Sequence, residues 1–366
     1  MICAGASGGG VYPALAVLQA LGDDVSDVLW VGGEGGMEAD LVTRAGVAFT
    51  TVPAAGVHGV GLRALPGNLW KLAKGVFAAR RVVRRFRPQA LFFTGGFVAF
   101  PTALAGWPTP SLVFMPDIQP GLALKVVAKL ASRIAVVVEQ SRRYFSRPAR
   151  ITVTGYPTRP ELTAWDRQAA FQEFDLSPDM QTLLVFGGSQ GARSINRALV
   201  AVLPQLLEFV QVIHISGQLT WPEVAAARAA LPPKLAARYQ AYPYLHEQMG
   251  AAMTAADLVL ARAGASTLGE FPLFGLPAVL VPIPQAWHLQ HSNAAYLAQA
   301  GAAVVLQDER MDVELLPLLQ NLLQDQQTLS SMRAAMQSIA KPHAAQEIAA
   351  LLRLMASSPS SSRSKI

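Results

Sequence analysis

Along this 366-residue chain, short apolar runs rich in β-branched residues alternate with longer segments of helical periodicity. Residues 27–32, 90–94, 111–115, 134–138 and 151–154 read as strands. A second series restarts after a polar, proline-containing stretch near 176–181, with strands at 182–186, 210–216, 258–261, 278–281 and 303–306. Strands separated by helical stretches predict parallel pairing, because a parallel crossover needs roughly a dozen residues or more, usually a helix. The fold class that follows is α/β, with two Rossmann-like, doubly wound parallel-sheet domains in tandem. The first strand has little chain to occupy, since a glycine loop begins by Gly5. Residues 357–366 are serine-rich without an apolar face and read as a disordered tail.

Composition agrees with two cores rather than one, at 52% hydrophobic and 15% charged residues. The single cysteine, Cys3, cannot form an intramolecular disulfide and is expected to pack in a strand. No charged segment, apolar segment and cleavage site precede the first motif, so a reducing cytoplasm is the expected compartment. Residues 88–116 carry no charge, but five prolines and the pair Gly95-Gly96 break them into strand, loop, short helix and strand rather than a membrane span. Charge is unevenly placed: residues 1–150 hold sixteen Lys and Arg against eight Asp and Glu, so the positive field belongs to the N-terminal half.

Glycine clusters follow predicted strands at Gly5-Ala6-Ser7-Gly8-Gly9-Gly10, at Gly95-Gly96-Phe97 and at Gly187-Gly188-Ser189-Gln190-Gly191. Glycine lets backbone amides approach a phosphate, and the helix that follows offers unpaired N–H groups and a favourable dipole. Each cluster taken singly reads equally well as a tight connection. None continues as the dinucleotide fingerprint with its acidic residue about 20 positions on, and none ends in Gly-Lys-Ser/Thr, so NAD enzymes and P-loop kinases fall behind. A fourth segment, Arg262 to Glu270, again follows a strand and opens a helix. There Ala263, Gly264, Ala265, Ser266 and Thr267 suit a diphosphate, and Glu270 suits ribose hydroxyls; a capping segment with Glu270 solvated is the other reading.

Taken in order, Gly5 to Val17, Gly36-Met37-Glu38-Ala39-Asp40-Leu41-Val42, Phe186 to Asn196 and Arg262 to Glu270 closely resemble the MurG family, over a likeness that runs to about residue 350. The resemblance implies the GT-B fold, two Rossmann-like domains facing across a cleft. It implies transfer of N-acetylglucosamine from UDP-GlcNAc to undecaprenyl-pyrophosphoryl-N-acetylmuramyl-pentapeptide, converting lipid I to lipid II in peptidoglycan synthesis. The expected domains are 1–158, facing acceptor and membrane, and 159–340, binding UDP-GlcNAc, with a helix at about 340–356 returning to the first. Carried over by position, Ser189 with Gln190 meets the UDP diphosphate, Arg159 contacts the nucleotide and Glu270 holds the ribose. Gln290 bonds the GlcNAc hydroxyls, Asn293 braces the adjoining helix, and Leu245 or His246 lies against uracil. Ser7, Gly8, Gly9 and Gly10, with Gly95 and Gly96, face the acceptor near its pyrophosphate.

The chain also departs from that family. Gly10 stands where the family has a histidine, Met115-Pro116-Asp117 opens a loop that the family fills with His-Glu-Gln-Asn, and Leu289 replaces one of two glutamines. A transferase for another glycolipid acceptor and a weakly active or non-catalytic UDP-sugar-binding paralogue are therefore the rival readings. Inverting transfer needs a base for the attacking hydroxyl, and Asp117, alone in an uncharged stretch, is the candidate. A turn or helix-capping aspartate is the plainer reading of it, and His288 and His291 are the other bases in reach of a loop. No Asp-x-Asp occurs and the six histidines show no ligand spacing, so neither a metal nor any other cofactor is expected.

Residues 41–116 contain nine Lys and Arg and no acid. Within them Leu69, Leu72, Val76 and Val83 recur at helical spacing, with Trp70 and Phe77 nearby and Lys71, Lys74, Arg80, Arg81, Arg84 and Arg85 around them. This basic amphipathic helix fits anionic lipid head groups, giving peripheral attachment to the cytoplasmic face of the cell membrane, or the acceptor's pyrophosphate. An ordinary core-facing helix with a solvated side fits it too. Nothing in the pattern marks a nucleic-acid partner.

Overall fold

The computed structural model describes residues 1–5, 8–36, 38–56, 65–188, 191–284 and 289–357. Ser7, Ser189, Gln190, His288 and the tail from residue 358 lie outside them. The chain divides into two compact units, Met1–Arg159 with the C-terminal segment from Pro342, and Pro160–Lys341.

In the first unit, β1 (Ile2–Cys3), β2 (Leu29–Gly32), β3 (Ala48–Thr51), β4 (Leu91–Phe93), β5 (Ser111–Met115), β6 (Arg133–Val136) and β7 (Ile151–Val153) form a parallel sheet in the order β3-β2-β1-β4-β5-β6-β7. In the second, β8 (Thr182–Phe186), β9 (Gln211–Ile215), β10 (Tyr239–Tyr242), β11 (Leu258–Ala261), β12 (Ala278–Leu280) and β13 (Ala303–Val305) are parallel in the order β10-β9-β8-β11-β12-β13. Helices cover both faces of a doubly wound sheet, so inner strands are apolar throughout: every residue of β4, β5, β9, β11 and β12 is buried.

Two strands, β3 and β10, were not among the predicted runs. Both are edge strands, with one neighbour each. β3 is exposed at both ends and β10 alternates buried and half-buried positions, so neither carries the continuous apolar signal of an inner strand.

The closing helix, Ala344–Ser357, packs on the first helix of the chain, Gly8–Leu21. Arg353 donates from Nη2 to the carbonyls of Ala20 (2.9 Å) and Leu21 (3.2 Å), satisfying C-terminal acceptors of that helix, and pairs with Asp24 at 2.6 Å.

The basic helix spans Leu65–Phe86. Its inward stripe includes Gly75 and Ala79, both buried, with Leu72, Val76, Val82 and Val83 half-buried beside them. Gly75 is glycine because a side-chain carbon there would run into the carbonyl oxygen of Pro53. Leu72 and Val76 thus turn toward the protein rather than outward with the proposed lipid face. Leu69, Trp70 and Phe77 remain outward, the last two 64% and 71% exposed, with Arg80, Arg81 and Arg84 exposed alongside. No helix among the described residues is long and apolar enough to cross a membrane.

Candidate functional site

Doubly wound sheets bind ligands beyond the C-terminal ends of their strands, at the point where strand order reverses direction. In the first unit that point lies between β1 and β4, and in the second between β8 and β11. The loops that leave these four strands are the four glycine-bearing segments singled out from sequence. Two further loops adjoin them: the one after β5 carries Asp117, and the one after β12 leads to Gln290.

In the second unit, the loop after β8 runs through Gly187 and Gly188 to Gly191, then into the helix Arg193–Leu206. Gly191 adopts φ +77°, and a side-chain carbon on it would strike the carbonyl oxygen of Ser216, so only glycine fits. That same carbonyl accepts hydrogen bonds from Asn196 Nδ2 (2.7 Å) and Thr220 Oγ1 (2.9 Å). Asn196 Oδ1 lies 3.0 Å from His214 Nε2, and His214 Nδ1 lies 2.6 Å from Tyr239 Oη. Because both Asn196 amide hydrogens are committed to Ser216 and Thr220, its oxygen must accept. This assigns the proton of neutral His214 to Nε2, with Tyr239 donating to Nδ1. Burial pushes the His214 imidazole down from 6.5 to about 3, so it stays neutral and fixes the helix behind the glycine loop.

The loop after β11 is braced from several sides. Arg262 donates from Nη2 to Ser194 Oγ (2.6 Å), pairs through Nη1 with Asp308, and reaches the carbonyls of Val281 (3.1 Å) and Pro282 (3.4 Å). Ser194 in turn donates to Asp308 at 2.9 Å. One guanidinium therefore joins the loops following β11, β12 and β13 to the helix following β8. Asn293, fully buried in the helix Leu289–Gln299, donates to the carbonyl of Ala263 at 3.1 Å, so it ties its own helix to the β11 loop. Thr267 Oγ1 donates to Gly264 O at 2.7 Å and closes the turn, which leaves Ser266 as the half-buried hydroxyl of this loop. Gln290 Oε1 accepts from Ile283 N at 3.0 Å, and Glu270 opens the short helix Glu270–Phe274, half-buried. After β10, Leu245 is half-buried and the exposed His246 ring packs on Tyr244 with centroids 4.6 Å apart.

In the first unit, the Gly5 and Gly95-Gly96 loops lie back to back. Gly96 has φ +86°, and a side-chain carbon on it would sit 3.2 Å from the Gly5 backbone. Thr94 Oγ1 donates to Gly10 O (2.6 Å), and Tyr156 Oη donates to Gly9 O (3.4 Å). Gly8, Gly9 and Gly10 form the first turn of the helix Gly8–Leu21. A side-chain carbon at Gly10 would lie 3.4 Å from Thr94 O, so the residue is held tightly against β4. Asp117 is half-buried in the loop after β5; the cap of the next helix, Leu122–Leu130, is Gly121, so Asp117 is not its N-cap. Arg159 lies with its guanidinium 4.5 Å from the centroid of the Tyr12 ring, a cation–π contact that orients it.

Sequence reasoning passed over Ser194, Asp308, Tyr12 and the inward role of Arg262. Their partners lie 68 and 46 residues away for Arg262, and no local spacing reports such pairs.

Similarity to known proteins runs the length of both units. Residues 1–136 match the glycosyltransferase family 28 N-terminal domain, and residues 182–349 match the glycosyltransferase family 28 C-terminal domain. A protein of Roseiflexus sp. (strain RS-1), named UDP-N-acetylglucosamine--N-acetylmuramyl-(pentapeptide) pyrophosphoryl-undecaprenol N-acetylglucosamine transferase, is 39% identical, covering 96% of this chain and 93% of its own. A protein of the same name from Desulforamulus reducens is 35% identical over 95% of this chain and 96% of its own. The crystal structure of MurG from Acinetobacter baumannii superposes with a TM-score of 0.75 at 29% identity, covering 97% of this chain and 98% of that one.

Proposed function

This chain belongs to glycosyltransferase family 28, and from that premise we propose that it transfers N-acetylglucosamine from UDP-GlcNAc to the muramyl-pentapeptide of lipid I, giving lipid II in peptidoglycan synthesis. The observation that carries this reading is the placing of all four glycine-bearing loops at the switch points of two GT-B sheets, in a chain that aligns with such transferases almost end to end.

The donor belongs to the second unit. There the amides of the β8 loop and of the Ala263–Thr267 turn face the diphosphate, with Ser189, Gln190 and Ser266 supplying polar groups. Glu270 takes the ribose, Leu245 and His246 the uracil, and Gln290 the GlcNAc hydroxyls, its Oε1 accepting from Ile283 N. Amides and helix dipoles stabilise the UDP that departs when the C1–O bond to the β-phosphate breaks.

The acceptor belongs to the first unit, with its pyrophosphate near Gly8, Gly9, Gly10, Gly95 and Gly96. The attacking hydroxyl forms the new bond to C1 from the face opposite UDP and loses its proton to Asp117. With Gly10 at the position of the family's histidine, no imidazole is available there, which is why the carboxylate is assigned the proton.

The same unit meets the membrane as a peripheral protein. Leu69, Trp70 and Phe77 stand out from the helix Leu65–Phe86; Leu104 on the helix Ala99–Gly106, Trp107 just after it and Leu122 at the start of Leu122–Leu130 are exposed too. Arg80, Arg81 and Arg84 supply the charge for anionic head groups on the cytoplasmic face, where the lipid-linked acceptor would be presented.

Calorimetric titration tests the donor assignment. Gln290→Ala is expected to weaken UDP-GlcNAc about tenfold while leaving UDP within twofold, since only the sugar loses a hydrogen-bond partner. Equal weakening of both ligands would remove Gln290 from sugar recognition.

A further inference from the structure

Glu38 is the only charged side chain that is buried among the described residues, at 1% exposure. It belongs to the Gly36-Met37-Glu38 motif, to which the catalytic reading above gives no part. Its carboxylate is enclosed by glycines. Oε1 accepts a hydrogen bond from Gly33 N at 2.9 Å; a side-chain carbon on Gly5 or on Gly36 would run into the carboxylate, and one on Gly32 would lie 3.0 Å from Cγ. Three segments therefore converge on it: the end of β1, the end of β2 and the turn before the helix Glu38–Arg44.

Holding a carboxylate out of water costs free energy, and an apolar side chain of similar size would fill the space more cheaply. What the carboxylate supplies is a rigid wall for Gly5. On its other side, Gly5 meets Gly96, on which a side-chain carbon would sit 3.2 Å from the Gly5 backbone. The corner from which the Gly5–Gly10 loop departs is thus clamped between Glu38 and the β4 loop. Farther along, Thr94 and Tyr156 hold the carbonyls of Gly10 and Gly9.

We propose that Glu38 is a positioning residue for the acceptor: by wedging the Gly5 corner against Gly96, it sets the first-turn amides of Gly8, Gly9 and Gly10 where the acceptor's pyrophosphate binds, without touching either substrate. This rests on the assignment of that loop to the acceptor. A negative charge behind an anion-binding loop gives no attraction of its own, so the role is one of shape and hydrogen bonding. That separates two variants: Glu38→Gln keeps length and an acceptor oxygen, whereas Glu38→Asp keeps the charge but withdraws it by one methylene.

Hydrogen exchange measured by mass spectrometry on the full-length protein reads the hold on the first turn, and steady-state kinetics with a lipid I analogue read its use. Glu38→Asp and Glu38→Ala are expected to speed exchange at least tenfold in the peptide covering residues 11–17, the helix turns that bond back onto the carbonyls of the first turn. The same variants should lower kcat/KM for the acceptor at least tenfold, with UDP-GlcNAc affinity within twofold of the native protein. Glu38→Gln should stay within threefold on every reading. Native exchange in Glu38→Asp, or a Glu38→Gln variant worse than Glu38→Asp, would overturn the proposal. So would a parallel loss of donor affinity. If the native protein fails to use the lipid-linked acceptor, the acceptor assignment falls, and the exchange rates still decide whether Glu38 holds the loop.

Discussion

Arg262 and Asp308 form an ion pair 46 residues apart in sequence, with side chains 11% and 18% exposed, at the place where three strand-end loops of the second unit meet. Ser194 bonds to both partners and brings in the helix behind the β8 glycine loop. These loops are therefore joined by one guanidinium, bonded to two side chains and to the carbonyls of Val281 and Pro282.

Removing one partner should be costly, because the other stays shielded and uncompensated. Asp308→Ala is expected to lower unfolding free energy by about 3 kcal/mol and to weaken UDP-GlcNAc severalfold. Urea denaturation and donor titration read the two effects; an unchanged denaturation midpoint would mean that the pair contributes nothing to holding the loops.

Asp117 makes the sharpest prediction about chemistry. Asp117→Asn keeps the shape of the β5 loop but cannot take a proton. Donor affinity should be retained while turnover falls about 10²- to 10⁴-fold, the range for loss of a general base. Near-normal turnover would take Asp117 out of the mechanism and leave His291 or His288 to be tested.

The buried His214 gives a pH dependence with a definite sign. Its folded value, about 3, lies below the ordinary 6.5, so between these values the unfolded chain binds a proton that the folded one refuses. Its contribution to stability is complete above pH 6.5 and declines as pH falls toward 3, with a slope of up to about 1.4 kcal/mol per pH unit. Chemical denaturation between pH 7 and 5 should show this decline in the native protein and a flatter profile in His214→Gln. Identical profiles would show that burial of His214 does not govern the acid response.

Attachment to lipid should need both apolar and charged parts of the first unit's face. Trp70→Ser with Phe77→Ser should abolish co-sedimentation with anionic vesicles, whereas Arg80→Ala, Arg81→Ala and Arg84→Ala together should weaken it by about 3 kcal/mol at low salt. Native binding that ignores both salt and lipid charge would contradict the electrostatic half of this account.

How much of this could be read from sequence follows the range of the interactions. A strand, a glycine turn and a helix start are contiguous, so the loops at Gly5, Gly95, Gly187 and Gly264 were legible, as were the inner strands with their unbroken apolar runs. The edge strands Ala48–Thr51 and Tyr239–Tyr242 were not, because a strand with one neighbour can carry Thr and Gln without burying them. Helical periodicity found the basic helix but could not tell its outward apolar residues from its inward ones. That distinction came from Gly75, which presses one side of the helix against Pro53. The Arg262, Ser194 and Asp308 cluster and the walls around Glu38 are tertiary, and no spacing along the chain announces them.

The central claim is transfer, and product analysis addresses it most directly. The full-length protein is incubated with UDP-GlcNAc labelled in the sugar and with lipid I in anionic vesicles, and the lipid fraction is examined for label and anomeric configuration. One GlcNAc per acceptor in β linkage, with UDP released in equal amount, is the predicted result. Saturable UDP-GlcNAc binding with no label entering the lipid would contradict the account and identify a sugar-nucleotide-binding protein that no longer turns over.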